Sequence, residues 1–271
     1  MILKPKIITR IPIEAECISP DSFSGKSLEE VKNLEIFVGN KRKKLGDAFD
    51  VGMGNEGSDE IVIHGDASNV KHIGAEMSFG KISIMGDVGM HLGREMRGGE
   101  ITVQGNVGDW AAAEMKDGVL RIKGDVGSFL GAAYKGSKLG MKGGIILVDG
   151  NAGHEAGDLM RRGIIAVSGN MASFAGARMK GGSIFCFGKI GARAGAEMDR
   201  GTIVSFNELE ILPTFKYDST YNPTFLRIFL RKLEKYGMHL KQQHITGLYD
   251  RYSGDLASLG KGEIFIWKGS G

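Results

Sequence analysis

The stretch Ile82-Ser83-Ile84-Met85-Gly86-Asp87-Val88-Gly89, continued to Gly99, contains one full unit of a repeat that runs through the middle of the chain. Apolar residues alternate ahead of a glycine, and equivalent glycines return after 19 residues, or after 21 or 26 where residues are inserted. A unit this short cannot bury its own apolar face, so neighbouring units have to stack. The glycines that anchor the units are Gly65, Gly86, Gly105, Gly124, Gly150, Gly169 and Gly188.

The run ahead of each anchor predicts a β-strand, because apolar and β-branched residues alternate with period two and nothing has helical spacing. Glycine suits the corners between strands, since it adopts positive φ without a Cβ clash. We therefore predict an all-β solenoid with about 19 residues per coil. The structural glycines of the fullest copies are Gly86, Gly89, Gly93; Gly124, Gly127, Gly131; Gly150, Gly153, Gly157; and Gly188, Gly191, Gly195.

Methionine recurs ten residues after the anchor in most units, and Tyr134 occupies that place in the unit that begins at Gly124. Stacking of the units turns equivalent residues into columns. Met adapts to irregular gaps, so we expect this column to fill the interior of the coils.

The repeat fades at both ends, which predicts three segments. Residues 1–34 form an N-terminal cap, 35–206 a β-helix of about eight coils, and 207–271 a C-terminal cap. Glu35–Asn40 resembles a degenerate first coil. A helix is predicted near 223–236, with Pro at its start and Gly237 past its end, and a final strand near 262–268. We expect the helix to cover the open end of the solenoid, or to dock another subunit.

Composition excludes several classes of protein. The 271 residues carry a net charge of +3, which gives no strong case for nucleic acid or membrane partners. Two isolated cysteines, Cys17 and Cys186, exclude a disulfide framework and a four-thiolate cluster on this chain. No stretch has the length of a membrane span and no signal peptide is recognisable. These features predict a cytoplasmic protein.

Residues with catalytic spacing are scarce. The six histidines form no HxH or HExxH pair, and no paired nucleophile and base stands out, so we predict no catalytic, cofactor or metal residue. Two features remain as a candidate interface. Glu76, Glu95 and Glu114 should form a column of carboxylates, which Arg94, Arg97, Lys116 and Arg121 neutralise or which faces a partner or cation. The basic run Lys41, Arg42, Lys43 and Lys44 is either a solvated loop or a docking patch for an acidic partner.

The motif Gly-x-x-Gly-x-x-x-Gly, as in Gly86, Gly89 and Gly93, resembles the glycine-repeat β-helix of two families. One is the C-terminal domain of the glutamate synthase large subunit, and the other is the C subunit of formylmethanofuran dehydrogenase. Ala112 and Ala172 replace a glycine in two copies. Leu212–Phe215 and the tail Arg251–Glu263 are similar to that C subunit, so the resemblance covers nearly the whole chain. It implies a right-handed parallel β-helix with a small helical C-terminal cap.

The resemblance to the C subunit implies a non-catalytic scaffold in a complex that reduces CO2 and forms N-formylmethanofuran in methanogenesis. Pterin-binding, amidohydrolase-like and ferredoxin-like subunits would be its partners. The tungsten or molybdenum pterin, the iron–sulfur clusters and a binuclear metal site would lie on those subunits. Alternatives are the C subunit of a formyltransferase/hydrolase complex and a separately encoded glutamate-synthase-like structural domain. A self-standing enzyme that uses the Glu column is a third alternative.

Overall fold

The computed structural model describes residues 1–6, 11–54 and 59–269, and its fold is mainly β. The strands are β1 Ile2–Pro5, β2 Ile13–Glu14, β3 Glu35–Val38, β4 Lys41–Lys44, β5 Phe49–Gly52, β6 Glu60–Ile63, β7 Val70–Lys71, β8 Lys81–Ile84, β9 Glu100–Val103, β10 Val119–Ile122, β11 Ile145–Val148, β12 Ile164–Val167, β13 Lys180–Cys186, β14 Arg200–Ser205, β15 Lys216–Tyr221, β16 Leu248–Gly254 and β17 Lys261–Gly269. The helices are α1 Pro20–Phe23, α2 Leu28–Lys32, α3 Leu45–Ala48, α4 Thr224–Lys235 and α5 Gln242–Thr246.

One large, largely parallel sheet contains the strands of the repeat. Its order is β15-β16-β17-β14-β13-β12-β11-β10-β9-β8-β6-β1-β5. From β6 to β14 every neighbouring pair is parallel, and Ile101, Leu120 and Ile146 of successive strands lie opposite one another. The predicted strands ahead of the anchor glycines are therefore confirmed, and their partners are the equivalent strands of adjacent repeats.

A second parallel ladder follows each anchor glycine. Single bridges join equivalent residues of adjacent repeats, in the order Ala67, Val88, Val107, Val126, Ala152, Met171 and Ile190. Side chains of both ladders belong to one buried cluster, so each repeat contributes two walls to the same core.

The methionine column lies in that core, as predicted. Met77, Met96, Met115, Met160, Met179 and Met198 are fully buried. The placement of Tyr134 in this column is wrong. Met141 is the fully buried residue of that repeat, and its amide bonds to the carbonyl of Gly131. The seven inserted residues therefore precede Met141, and they leave Tyr134 half-buried outside the core.

Two of the motif glycines show why the repeat needs them. A Cβ on Gly124 would lie 2.6 Å from the carbonyl oxygen of Gly105, because the backbones of adjacent repeats touch there. Gly93 has a φ of 62°, the left-handed region that glycine adopts without strain.

The N-terminal segment differs from its prediction. Glu35–Val38 does not continue the repeat, because β3 pairs antiparallel with β2 and β4 in a small sheet of order β4-β3-β2-β7. The strand that extends the large sheet beyond β6 is β1, which pairs with it in parallel. Alternation predicts a strand but not its partner. The two-residue connection Gly39–Asn40 between β3 and β4 is typical of a hairpin and was the missed signal.

The C-terminal segment continues the sheet and covers its side. β17 pairs in parallel with β14, and β16 and β15 follow antiparallel at the edge. Helix α4 lies within the range predicted for it, but the expectation that it covers the open end is wrong. Its Leu226, Leu230 and Leu233 pack on outward-facing side chains of β11–β14. Among the described helices, none has the length and apolar character needed to cross a membrane.

Candidate functional site

Each repeat, except the one that carries the insertion before Met141, contains a turn with three left-handed residues at alternate positions. In one repeat His91, Gly93 and Glu95 have φ angles of 64°, 62° and 55°. Residues other than glycine rarely adopt such angles, yet fourteen described residues do so, all within 72–197. Hydrogen bonds to the next repeat hold most of them, as when the His91 amide donates to the Asp109 carbonyl at 2.9 Å. Strained backbone concentrates at functional sites. We call the surface formed by these turns the left-handed face, and it is the candidate site.

Four rings of one column of the left-handed face and a fifth from the insertion pack against one another, and we call this set the ring ladder. His72 stacks on His91 with centroids 4.6 Å apart, and Trp110 stacks on Phe129 at 4.2 Å. Tyr134 joins the two pairs, with its ring 5.6 Å from His91 and 5.0 Å from Trp110. The insertion before Met141 therefore supplies the ring that makes the ladder continuous.

The histidines of the ring ladder are held neutral at physiological pH. Burial, with help from His72 and nearby cations, lowers the pKa of His91 to about 4, and burial also lowers the pKa of His72. The His91 Nδ1 and the Tyr134 hydroxyl share a hydrogen bond of 2.7 Å, and burial raises the pKa of that phenol to about 12. Neither ring therefore changes charge near pH 7, which suits a rigid contact surface.

Arg94 connects the ring ladder to acidic side chains. Its Nη2 lies 3.5 Å from both Glu16 and Glu76, and its Nη1 lies 3.2 Å from Glu95. The Arg94 Nε is buried and has no hydrogen-bond partner among the described residues. One guanidinium thus bridges three carboxylates beside the rings.

The glutamate column is neutralised by cations from the following repeat. Each cation follows a buried methionine of the core and reaches back by one repeat. The pairs are Glu76 with Arg97 at 2.7 Å, Glu95 with Lys116 at 2.7 Å and Glu114 with Lys142 at 3.5 Å. Arg94 also takes part, as predicted, whereas Arg121 pairs with Asp149 instead. The cation paired with each glutamate therefore offsets the repulsion between stacked carboxylates.

A hollow of about 370 Å³ is lined by rings of the ladder and by an ion pair between exposed Arg178 and buried Asp158. Arg178 donates from Nε and Nη2 to the carboxylate of Asp158 at 2.9 and 2.7 Å. Asp158 is only 4% exposed at its side chain, and this burial raises its pKa while Arg178 opposes the rise. Trp110 and Phe129 also line the hollow. Aromatic and arginine side chains around a hollow are the residue types that anchor protein–protein interfaces.

The remaining chemistry is sparse in the part of the chain that the structure describes. It contains no group of three or more histidine, cysteine, aspartate or glutamate side chains placed to hold a metal ion. Cys17 and Cys186 are free, and burial raises the pKa of each thiol to about 12. Both therefore remain protonated and poorly nucleophilic near pH 7.

The basic run is an exposed edge strand and not a loop. Lys41–Lys44 forms β4 at one edge of the small sheet, with all four side chains exposed. Arg42 pairs with Glu35 at 3.5 Å, and Lys44 donates to Asn33 at 2.7 Å. Lysines on an edge strand discourage pairing with other strands. The structure places this run at the edge of the small sheet, whereas the glutamate column lies in the left-handed turns of the repeats.

The prediction of the glutamate column missed the ring ladder beside it. The signal was present, since His72, His91, Trp110 and Phe129 follow one another at the 19-residue spacing of the repeat. Each stands two residues before the third motif position, which is Gly74 in the first of these repeats. Tyr134 could not be found this way, because it lies in an insertion.

Comparison with known proteins gives a consistent result. No family model matches the chain. Over 93 residues it is 46% identical to the C subunit of a tungsten-containing formylmethanofuran dehydrogenase 2 of Methanothermobacter marburgensis, a match that covers 33% of this chain and 34% of that relative. Over 94 residues it is 47% identical to the C subunit of a molybdenum-containing formylmethanofuran dehydrogenase 1 of Methanosarcina barkeri, covering 33% and 31%. The chain thus spans about a third of the length of these curated relatives.

The structural likeness extends over the whole chain. A chain in the crystal structure of the formyltransferase/hydrolase complex (FhcABCD) from Methylorubrum extorquens, determined with methylofuran, superposes with a TM-score of 0.90. The two are 35% identical, and the match covers 98% of this chain and 99% of the other. Identity at this level over nearly full length establishes common family membership. The chain therefore belongs to the family that comprises the C subunit of formylmethanofuran dehydrogenase and its relatives in formyltransferase/hydrolase complexes.

Proposed function

We propose that this chain is a non-catalytic scaffold subunit of a formylmethanofuran dehydrogenase complex, which reduces CO2 and forms N-formylmethanofuran. The observation that carries the proposal is the full-length likeness to a chain of a multisubunit complex, joined to 46% identity with the C subunit of a formylmethanofuran dehydrogenase over a third of the chain. The tungsten or molybdenum pterin, iron–sulfur clusters and binuclear metal site belong to partner subunits in this proposal, and the complex is cytoplasmic.

The scaffold we propose is a right-handed parallel β-helix with about 19 residues per coil. Two parallel ladders in constant register and a methionine column inside them support this architecture. Right-handed connection between parallel strands is the general rule. Such a rod keeps side-chain columns at fixed spacing, which suits the positioning of several partner subunits.

The left-handed face is the surface that we propose meets a catalytic subunit. Its rings are held by stacking, and its charges are held by ion pairs, so little freedom remains to be lost on docking. Glu76, Glu95 and Glu114 belong to this interface in the proposal. The basic strand Lys41–Lys44 is proposed as a separate contact with an acidic partner.

A second candidate is the C subunit of a formyltransferase/hydrolase complex. The specific observation in its favour is that the full-length match is to a chain of such a complex. The two candidates share the scaffold role and differ in whether the partner subunits contain tungsten or molybdenum.

The experiment that tests the proposal is gentle purification of the tagged chain from its native host, followed by mass spectrometry and metal analysis. Tungsten or molybdenum together with iron–sulfur and amidohydrolase-like subunits is the expected result. A complex without these metals supports the second candidate. An active chain that purifies alone overturns both.

A further inference from the structure

A groove of about 400 Å³ lies where the end of α4 passes over the large sheet. Glycine backbone from three successive repeats forms its floor, at Gly118, Gly144 and Gly163. The rings of Phe229 and Tyr236 from α4 and its C-terminal cap form one wall. Val119, Ile145 and Ile164 follow these glycines in the lining, and the glycines between them leave room for an extended segment.

The charges around this groove are mostly positive. Lys142, Arg162 and Lys232 line it, and Asp117 is the one acidic residue among its described lining residues. Arg162 and Lys232 are exposed and form no ion pair with a described residue. Lys142 lies 3.5 Å from Glu114, a longer separation than those of the Glu76–Arg97 and Glu95–Lys116 pairs. The groove therefore offers two cations without an ion-pair partner and a third, Lys142, that Glu114 neutralises only in part.

The groove is preformed because α4 is fixed on the sheet. Leu230 and Leu233 of α4 are fully buried on the side of the helix that faces the sheet. Arg121 of β10 donates through Nη1 to the carbonyl of Tyr236 at the end of the helix. A site that needs no rearrangement loses less free energy on binding.

We propose that this groove receives an acidic segment of a partner subunit. Carboxylates of that segment pair with Lys142, Arg162 and Lys232, and an apolar side chain packs against Phe229 and Tyr236. The net charge of +3 and the small extent of the cationic patch favour a short acidic peptide over a nucleic acid. The inference rests on the proposed scaffold function and adds a second contact beside the left-handed face, to which Lys142 is linked through its pair with Glu114.

Zero-length carbodiimide cross-linking of the tagged native complex tests the proposal directly. We expect mass spectrometry to find Lys142 or Lys232 joined to an aspartate or glutamate of one partner subunit. The double variant Arg162→Glu and Lys232→Glu should then recover that partner in roughly tenfold lower yield.

A matched control uses the adjacent cations outside the groove. Arg161→Glu with Lys235→Glu makes the same charge change on the same loop and helix, and should retain the partner. Thermal unfolding of both double variants verifies that each chain is folded. If the groove variant retains every partner and no cross-link forms at Lys142 or Lys232, the inference is wrong, and the proposed scaffold function is unaffected. Nucleic acid bound by the wild type and lost from the groove variant would also overturn it. A wild-type chain without partners overturns both.

Discussion

The two halves of the large sheet share one interior but differ in what covers their outer face. In β9 and β10 the outward position is polar and partly exposed, at Thr102 and Arg121. The aligned positions of β11–β14 are apolar and buried, at Leu147, Ala166, Phe185 and Val204. Helices α4 and α5 pack on the second half. Inward residues and glycines thus make the repeat, whereas the outward column determines where the helices bind.

The difference has an energetic consequence at each aligned position. Burying a large apolar side chain contributes about 1.5–3 kcal/mol, so the apolar column beneath α4 stabilises the docked helix by several such amounts. The other half gains nothing of this kind from its outward residues. It remains available for ion pairs, such as Arg121 with Asp149.

The largest expected effect comes from truncation beneath the helix. Phe185→Ala should lower the free energy of unfolding by about 3–5 kcal/mol, because a fully buried ring that contacts Phe229 is lost. Thr102→Ala, at the same outward position in the uncovered half, should cost about 0.5 kcal/mol or less. Urea unfolding measures both, and equal losses would contradict the comparison.

The boundary between the halves is the next test. Arg121→Ala removes the hydrogen bond to the Tyr236 carbonyl and the pair with Asp149, so we expect a loss of about 1–3 kcal/mol. Hydrogen exchange should accelerate in the last turn of α4. Lys123→Ala removes only a more exposed pair with Asp149 and should leave that exchange unchanged. Unaltered exchange in the Arg121 variant would show that apolar contacts alone hold the helix.

Because of the ring ladder, we expect the free energy of unfolding to depend on pH. Native His91 has a pKa of about 4, below the ordinary value of 6.5, so the unfolded chain takes up the proton first as pH falls. Stability is therefore fully present above about pH 6.5 and declines as pH falls toward 4. Because the ring is partly exposed, we expect a loss of about 1–2 kcal/mol.

His91→Phe keeps a ring in the ladder and removes the proton site. Its stability should fall less steeply between pH 7 and 5, although His72 preserves part of the slope. Thr102→Ala leaves every histidine in place, so it is the control and should keep the wild-type profile. A His91→Phe profile that coincides with wild type would contradict the pKa shift.

The smallest effect concerns the neutralised glutamate column. Glu95→Gln weakens pairs with Lys116 and Arg94 and should cost about 0.5–1 kcal/mol, because Glu95 is 27% exposed. Glu29→Gln breaks a pair with Lys32 at a more exposed site and should cost less. A gain in stability on Glu95→Gln would mean that repulsion within the column dominates.

Sequence predicted the repeat well because glycine spacing and alternation follow directly from backbone geometry. It placed the end elements less well. Glu35–Val38 has strand character, but the local Gly39–Asn40 turn decides its partner. The part of the sheet that α4 covers could have been predicted from the continuous apolar runs Ile145–Val148 and Ile164–Val167. Strands that are buried on both faces are apolar throughout and do not alternate.

The candidate site was predicted only in part. The glutamate column came from sequence, and its neutralisation by Arg97 and Lys116 was expected and found. The ring ladder needed the structure, because Tyr134 joins it from an insertion that breaks the spacing. Left-handed backbone at bulky residues such as Trp110 also has no sequence signature, since glycine is the residue that normally marks it.

The measurement that tests the scaffold account most directly is partner recovery by a tagged Trp110→Ala chain in the native host. The account predicts a folded chain with roughly tenfold or lower recovery of one partner subunit, as expected for an aromatic anchor. Ile228→Ala, at a side chain 72% exposed on α4, should recover partners as wild type does. Full recovery by Trp110→Ala, at unchanged thermal stability, would contradict the claim that the left-handed face is a docking surface.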